Sequence, residues 1–372
     1  MDCGYFEAGA CGSCSWLPTP YAEQVRRKHE HARRLLADHP DLQWLAPVTG
    51  PEQGFRNKAK MVVGGTVDAP TLGILDAAGE GTDLRGCGLH EPVVRDALPV
   101  LAELVTRARL TPYDVPTRSG ELKHVVTTAS PDGELMVRFV LRSTEALPRL
   151  RKHLPWLRER LPHLRVVSAD LQPRHAAVLD GEQEEVLLGS TLPVRLGGLT
   201  LRLRPSGFFQ TDTTVAVALY REAAGWAGDL TWRTAWDLYC GVGGFALHLA
   251  GPGRQVTGVE VAQEAVLAAR RSAAESGLPV RFETGDATSW VAGRDDRPDL
   301  VVVNPPRRGI GERLAELLEA SSARHLLYSS CNPVTLAADL ALMPSLRPVR
   351  GRVFDMFPHT PHQEVLVLCT RG

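Results

Sequence analysis

From about residue 206 onward, the chain alternates short apolar segments with helical ones. The predicted strands cover residues 235–238, 255–260, 280–283, 300–304 and 325–330, and helices at 262–276 and 312–320 lie between them. This alternation predicts an α/β fold built on a doubly wound parallel sheet. Two last segments, 349–354 and 364–369, predict a closing hairpin. Ligands of such open sheets bind beyond the carboxyl ends of the strands.

The preceding half of the chain has a different pattern. Residues 122–129 and 135–142 flank a Ser-Pro-Asp-Gly turn, and residues 176–179 and 186–188 flank an Asp-Gly turn. Such hairpins predict an antiparallel sheet with a few helices, one of which begins at Thr19-Pro20. A chain of 372 residues fits two domains. We therefore predict an α+β domain at residues 1–205 and the α/β domain at residues 206–372.

The charge and hydropathy of the chain limit which partners it can have. The net charge of −1 offers no overall attraction to nucleic acid. One window, residues 149–175, holds seven Arg or Lys against two acidic residues, which fits either a solvated helix face or a polyanion-binding surface. No run is long enough to span a bilayer, and the first residues do not resemble a signal peptide. These features predict a cytoplasmic protein without membrane contact.

A glycine-rich turn, DLYCGVGGF at residues 237–245, follows the first predicted strand of the parallel sheet and opens a helix. Its glycines permit a tight turn against a ligand, to which the helix start offers free amides. Glu260 ends the next strand, where an acid binds ribose hydroxyls, and Asp286 follows the third strand, where it would accept from an adenine amino group. The order is typical of S-adenosylmethionine sites, although another nucleotide binder fits as well. The turn contributes Asp237, Tyr239, Gly241 and Gly243.

A cysteine and a carboxylate follow strands near the C-terminus. Cys331 lies in a strand-to-helix turn, YSSCNP, where helix-start amides would lower its pKa; the alternative is an inert buried thiol. Glu364 ends the segment HQE, and Asn304 begins NPPRRG. A thiolate that adds to C6 of uracil activates C5 toward a methyl donor, and a base then removes the C5 proton. Similar Asn-Pro-Pro segments serve non-covalent amino-group methyltransferases, which remain an alternative.

Four cysteines stand apart from this region: Cys3, Cys11, Cys14 and Cys87. Disulfides are not expected in a cytosolic chain. Four thiolates suit a structural zinc ion or an iron–sulfur cluster. Their spacing alone slightly favours zinc.

Taken together, these motifs resemble the RNA uracil-C5 methyltransferases over essentially the whole chain. Further segments carry the resemblance: the opening Cys-x7-Cys-x2-Cys, GFRNKAK at 54–60 and SGFFQ at 206–210. Residues 304–311 and 354–360 resemble the 23S rRNA (uracil-747-C5)-methyltransferase branch. The resemblance implies a Rossmann-like class I methyltransferase domain that uses S-adenosyl-L-methionine to make 5-methyluridine in 23S rRNA. We expect a monomer without an obligate protein partner. An iron–sulfur RNA-binding module without turnover is a further alternative.

The resemblance also implies roles for particular residues. It makes Cys331 the nucleophile and Glu364 the base, and it replaces zinc by a structural [4Fe-4S] cluster on the four cysteines. Contacts to S-adenosylmethionine are implied for Gln210, Tyr239, Glu260 and Asn304. A flipped uridine would stack on an aromatic ring. The RNA contacts that we predict are Arg56, Lys58 and Lys60, with Phe208, Phe209 or Phe357 as the stacking ring.

Overall fold

A computed structural model of the protein describes residues 1–76, 78–175, 181 and 183–372. It divides into two compact units. The first comprises Met1–Cys14, Pro51–Val194 and Arg204–Ser206, and the second comprises Ser15–Gly50, Arg195–Leu203 and Gly207–Gly372. Residues 15–50, which the sequence pattern grouped with residues 1–205, therefore belong to the unit of the C-terminal sheet.

The described residues form ten helices and eighteen strands. The helices are α1 (Gly4–Glu7), α2 (Tyr21–Leu35), α3 (Pro92–Arg107), α4 (Leu147–Arg160), α5 (Thr213–Gly228), α6 (Gly244–Leu249), α7 (Gln263–Glu275), α8 (Ala287–Ala292), α9 (Glu312–Glu319) and α10 (Pro333–Ala341). The strands are β1 (Gln43–Trp44), β2 (Val48–Thr49), β3 (Lys58–Gly65), β4 (Pro70–Leu75), β5 (Gly81–Asp83), β6 (Leu122–Ala129), β7 (Leu135–Leu141), β8 (Leu164–Leu171), β9 (Gln183–Leu188), β10 (Leu192–Leu196), β11 (Leu199–Leu203), β12 (Thr234–Leu238), β13 (Gln255–Glu260), β14 (Val280–Thr284), β15 (Leu300–Val303), β16 (His325–Ser330), β17 (Leu346–Asp355) and β18 (Glu364–Arg371).

The first unit is built on a seven-stranded sheet in the order β5-β4-β3-β6-β7-β8-β9. The predicted hairpin of β6 and β7 is confirmed, with Ala129 paired to Leu135 at its turn. The strand predicted at residues 176–179 lies outside the described residues, while β9 pairs antiparallel with β8. Apolar residues of α3, such as Leu98 and Leu101, pack with Phe139 of β7 in the core.

The second unit contains a nine-stranded sheet whose main path runs β1-β17-β18-β16-β15-β12-β13-β14. Five consecutive strands at one side of this sheet, β14-β13-β12-β15-β16, are parallel, as the alternation of strands and helices predicted. The predicted closing hairpin is also confirmed, because β18 runs antiparallel to both β16 and β17. Strand order reverses between β12 and β15, and the crevice at such a reversal is where open α/β sheets bind ligands.

The segment Ser15–Gly50 completes the second unit by two kinds of contact. Strands β1 and β2 pair in parallel with β17. Helix α2 buries Ala32 in the core of this unit, where Leu36, just beyond its end, lies as well. A fully buried Lys28 on the same helix bonds Asp355, at the end of β17, with 2.8 Å between Nζ and Oδ1. The sequence pattern did not predict this association, because more than 300 residues separate Lys28 from Asp355 along the chain.

Candidate active site

The predicted catalytic residues lie where three neighbouring parallel strands end and the antiparallel β18 begins. β12 pairs with β15 and β15 with β16, so that Leu238, Val303 and Tyr328 lie side by side. The first residue after β15 is Asn304, whose Nδ2 donates to the Ser329 carbonyl at 3.1 Å. The glycine-rich turn after β12 is therefore adjacent to the segment that carries the predicted nucleophile.

Cys331 and Glu364 are brought together by an antiparallel strand pair. The β16–β18 ladder ends at Ser330 paired with Val365, so Cys331 and Glu364 are the next facing positions. Residues that face each other across such a pair have Cβ atoms about 5 Å apart on the same side of the sheet. A thiol and a carboxyl group therefore share one edge of the crevice, as the sequence predicted.

Glu364 is buried and held by donors from two other strand ends. The Asn304 Nδ2 donates to Glu364 Oε1 at 2.9 Å, and the Ser329 hydroxyl donates to the same oxygen. Burial raises the pKa of Glu364 to about 7, while these two hydrogen bonds act in the opposite direction. A carboxyl group with a pKa near neutrality is suited to accept and release a proton in one catalytic cycle.

The expectation that helix-start amides lower the pKa of Cys331 is wrong for this structure. Asn332 caps α10 through its side chain, and Cys331 precedes the cap. Burial and the nearby Glu364 carboxylate raise the pKa of the Cys331 thiol, and the Arg307 guanidinium partly lowers it again. The thiol is partly exposed. Among the charged neighbours of this thiol, Arg307 is the one that lowers its pKa, and sequence spacing did not reveal it.

The glycine-rich turn has the backbone that its sequence predicted. Gly241 and Gly243 have φ of 54° and 88°, and Tyr239 also adopts a left-handed conformation with φ of 64°. A side chain at Gly243 would meet the Phe282 ring at 2.7 Å, whereas the space beside Gly241 is open. Glu260 accepts from the Gly241 amide at 3.1 Å. The acid at the end of β13 thus shapes the turn and lies beside this open space.

The remaining predicted cofactor residues differ in their exposure. Asp237 is fully buried and accepts from the Ala246 amide at 2.9 Å. Burial raises its pKa to about 8. Because it is buried and bonds the backbone of α6, Asp237 supports the turn and does not face solvent. Asp286 is exposed and caps α8 through the Ser289 amide, and Gln210 is buried near the start of α5.

The four N-terminal cysteines line one cavity of the first unit, as does Arg56. The pKa of Cys14 is raised to about 11, first by burial and then by the charges of the other three thiolates. Among the described residues, no three His, Cys, Asp or Glu side chains form a group that could hold a metal ion. The four cysteines share the lining of this cavity, and four thiolates are the ligand type of both structural zinc sites and iron–sulfur clusters.

The predicted RNA contacts divide into buried and exposed residues. Lys58 is buried, and burial lowers the pKa of Arg56, whose nearest charged neighbours include Cys87. Lys60 is exposed. Phe209 lies in the core with 4% exposure, whereas Phe208 is 66% exposed. A nucleobase that reached this segment would contact the exposed Phe208 ring before the buried Phe209 ring.

The basic window at residues 149–175 is largely neutralised. Four of its seven cations form ion pairs with carboxylates of the same unit: Arg149 with Glu145, Arg151 with Glu185, Arg160 with Glu103 and Arg165 with Glu134. Paired surface charges contribute little field at a distance. This arrangement favours a solvated helix face over a polyanion-binding surface.

Sequence inspection missed two side chains of this site. Ser329 bonds the carboxyl group of Glu364, and Arg307 lies close enough to Cys331 to lower its pKa. The signal for Ser329 was a hydroxyl side chain that directly precedes the end of a buried strand, HLLYSS. Arg307 lies within the motif NPPRRG, in which a role was predicted only for Asn304.

Comparison with known proteins identifies the family. The description "tRNA (Uracil-5-)-methyltransferase" matches residues 295–372, and "Methyltransferase domain" matches residues 235–319. The 23S rRNA (uracil(747)-C(5))-methyltransferase RlmC of Escherichia coli (strain K12) is 47% identical over 374 residues, 100% of both chains. That of Salmonella enteritidis PT4 is 48% identical with the same coverage. The chain belongs to this family of RNA uracil-C5 methyltransferases.

A solved structure confirms the fold of this family member. The Pyrococcus abyssi tRNA (uracil-54, C5)-methyltransferase superimposes with a TM-score of 0.79 and 24% identity, covering 96% of this chain and 86% of that chain. The predicted resemblance and the class I methyltransferase fold are therefore both confirmed. No helix in the described part of this family member is long and apolar enough to cross a membrane.

Proposed function

We propose that this protein methylates C5 of a uridine in 23S rRNA, the position named for its relatives being uracil 747, and that Cys331 is the nucleophile and Glu364 the base. Its methyl donor is S-adenosylmethionine. The observation that carries the assignment of roles is the facing position of Cys331 and Glu364 at the end of the β16–β18 ladder. An amino-group methyltransferase would need neither a thiol nor a base there.

The two side chains divide the chemistry between them. The Cys331 thiolate adds to C6 of uracil, and the electron pair of the C5=C6 bond becomes available at C5. S-adenosylmethionine supplies the methyl group to C5 and leaves as S-adenosylhomocysteine. Glu364 then removes the C5 proton, and the electrons of that C–H bond restore C5=C6 and expel Cys331. The pKa of Glu364 near 7 suits this proton transfer at neutral pH.

The cofactor site that we propose lies along the turn after β12. Gly241 leaves open space beside its Cα, and Glu260 is positioned there by its bond to the Gly241 amide. We assign ribose recognition to Glu260 and adenine recognition to the exposed Asp286. Tyr239, Gln210 and Asn304 line the rest of this site in our proposal, while Gly243 and Asp237 support the turn.

The experiment that tests the function is tritium release from 23S rRNA fragments labelled at uridine C5, with methyl incorporation measured in parallel. One tritium released per methyl group incorporated is the expected result. Methyl incorporation without release would place the methyl group on another atom. Neither signal would favour a binding protein without turnover.

Two variants test the assigned roles. We expect Cys331→Ala to lose turnover but to keep S-adenosylmethionine binding, and loss of donor binding would contradict its role as nucleophile. We expect Glu364→Gln to accumulate a covalent protein–RNA adduct on denaturing gels, because the C5 proton stays in place. Normal product release by Glu364→Gln would remove its role as base.

We propose further that Cys3, Cys11, Cys14 and Cys87 hold a structural [4Fe-4S] cluster. Their common cavity supports this assignment, which is also what the family resemblance of the sequence implies. Arg56 beside the thiolates would offset part of their negative charge. Anaerobically purified protein should contain four iron atoms per chain, with the visible absorption of a cluster, and Cys14→Ala should lose both. One tightly bound zinc per chain would overturn the proposal.

RNA binding and assembly complete the proposal. We assign RNA contacts to Lys60 and Phe208, which are exposed, ahead of Arg56, Lys58 and Phe209. The enzyme works as a monomer in the cytoplasm, where its substrate is transcribed. Sedimentation should return the mass of one 40.5 kDa chain, and the mass of a dimer would contradict this.

A further inference from the structure

Glu364, the proposed base, has a hydrogen-bond partner, Ser329, to which no role has been assigned. Ser329 is fully buried at the end of β16, and its hydroxyl donates to Glu364 Oε1. Asn304 Nδ2 donates to the same oxygen and also to the backbone carbonyl of Ser329. The three residues therefore close a ring of hydrogen bonds across β15, β16 and β18.

This ring constrains the Glu364 carboxyl group in two ways. Both side-chain donors bond Oε1, so the direction of the carboxyl plane is set by two neighbouring strands. A donor to an ionised carboxylate also stabilises its charged form, and such bonds are stronger than neutral ones. A buried carboxylate without them would favour its neutral, protonated form.

We propose that Ser329 is a positioning residue for the base: its hydroxyl favours the ionised form of Glu364 and leaves Oε2 as the oxygen that receives the C5 proton. This inference rests on the proposed role of Glu364. In the step itself, the C5–H bond breaks, the proton passes to Oε2, and the electron pair expels the Cys331 thiolate from C6. The bonds to Oε1 from Ser329 and Asn304 remain in place throughout.

Other groups that face Glu364 are few among the described residues. Cys331 approaches from the turn before α10, and its pKa responds to the Glu364 charge. Tyr220 approaches from α5, and its pKa also responds to Glu364. Burial raises the pKa of each of these two groups and so favours the neutral form of both. The hydrogen bonds from Ser329 and Asn304 are thus the main interactions that lower the pKa of Glu364 against the effect of burial.

The test compares Ser329→Ala with a matched control, Ser321→Ala. Ser321 is also buried and donates its hydroxyl to a backbone carbonyl, that of Leu318, at 2.6 Å, but it lies before the opposite end of β16. Ser329→Thr keeps the hydroxyl and serves as a rescue variant. The protonated Glu364 is monitored in the full chain by the infrared carboxyl band that Glu364→Gln lacks.

In Ser329→Ala we expect the midpoint of this band to rise by about one pH unit, a tenfold change in the proton affinity. The acid limb of methylation, measured on 23S rRNA fragments, should move by the same amount, and adduct should accumulate below the midpoint. Ser321→Ala should match the wild type, and Ser329→Thr should restore most of the shift.

An unchanged midpoint in Ser329→Ala would overturn the proposal, as would an equal shift in Ser321→Ala. The infrared titration needs no turnover, so it decides the role of Ser329 even if the wild type shows no tritium release. Failure of tritium release would contradict the proposed function instead. The two failures are therefore distinguishable.

Discussion

Removing the buried cation of α2 should destabilise the second unit and disturb the base. Lys28 and Asp355 both have fully buried side chains, with 2.8 Å between Nζ and Oδ1. Lys28→Met keeps the length of the side chain but leaves Asp355 with the Phe357 amide, at 3.1 Å, as its one described hydrogen-bond donor. Asp355 Oδ2 already has no partner among the described residues.

The magnitude follows from leaving a carboxylate buried without its cation. Loss of one partner of a buried ion pair costs about 3–5 kcal/mol. For a unit of this size, that corresponds to a decrease in Tm of about 10 °C. The loss should shrink at acid pH, because protonation of Asp355 in the variant removes the unpaired charge.

Thermal unfolding followed by circular dichroism is the assay, with two comparison variants. Arg26→Met removes ion pairs with Glu23 and Glu30 on the same helix, where the Arg26 side chain is 56% exposed, and should lower Tm far less. Lys28→Met/Asp355→Asn removes both charges and should regain most of the stability. A loss in Lys28→Met no larger than that in Arg26→Met would refute the reasoning.

The same variant should affect catalysis. Lys28 Nζ also donates to the Phe357 carbonyl at 3.0 Å, and Gln24 on the next turn accepts from the His359 amide at 2.8 Å. Both bonds hold the loop that leads to Glu364. We therefore expect Lys28→Met to lower kcat more than it lowers the affinity for S-adenosylmethionine, measured by calorimetry. Weakened donor binding with unchanged kcat would contradict this link between α2 and the base.

Three further predictions concern the cofactor turn, the base and the nucleophile. Gly241→Ala should weaken S-adenosylmethionine binding by more than tenfold in calorimetry, whereas Gly277→Ala, with φ of 64° and equally open space, should bind normally; equal effects would argue against a cofactor beside Gly241. The folded pKa of Glu364 lies above its ordinary value of 4.5, so the stability associated with its neutral form is complete below pH 4.5 and is lost as pH rises through about 7. Glu364→Gln should therefore be more stable than the wild type at pH 8, by at most about 3 kcal/mol, but not at pH 4; an equal difference in urea unfolding at both values would be inconsistent. Arg307→Gln should raise the pKa of Cys331 and slow its alkylation by iodoacetamide at pH 8, while the exposed Arg313→Gln should leave the rate unchanged; no difference between these variants would remove the role of Arg307.

Local patterns predicted much of the fold, because they depend on near neighbours in sequence. The strands β13 and β16 begin and end where the apolar runs predicted; α7 is one residue shorter than predicted at each end, and α9 is one residue shorter at its C-terminal end. The hairpin of β6 and β7 followed from its turn residues. Membership of residues 15–50 in the second unit did not follow, since the pairing of β1 and β2 with β17 is not local.

The candidate site shows the same division between local and non-local information. The turn after β12 was recognisable because glycines mark positive φ wherever they must occur. The pKa of Cys331 was predicted in the wrong direction, because the helix start was visible in the sequence and the burial beside Glu364 was not. Burial of Phe209 and exposure of Phe208 were equally invisible in the motif SGFFQ.

The amino-acid sequence by itself determined the strands and helices of the α/β unit, the glycine turn, the two reactive residue types and the family. Each of these depends on spacing along the chain or on the identity of single residues. The tertiary structure alone decided that Ser329 and Asn304 both bond Glu364 Oε1, that Lys28 pairs with Asp355, and that the distant Cys87 shares one cavity with the three N-terminal cysteines. These features depend on burial and on distances between atoms far apart in sequence, which only strand pairing and packing establish.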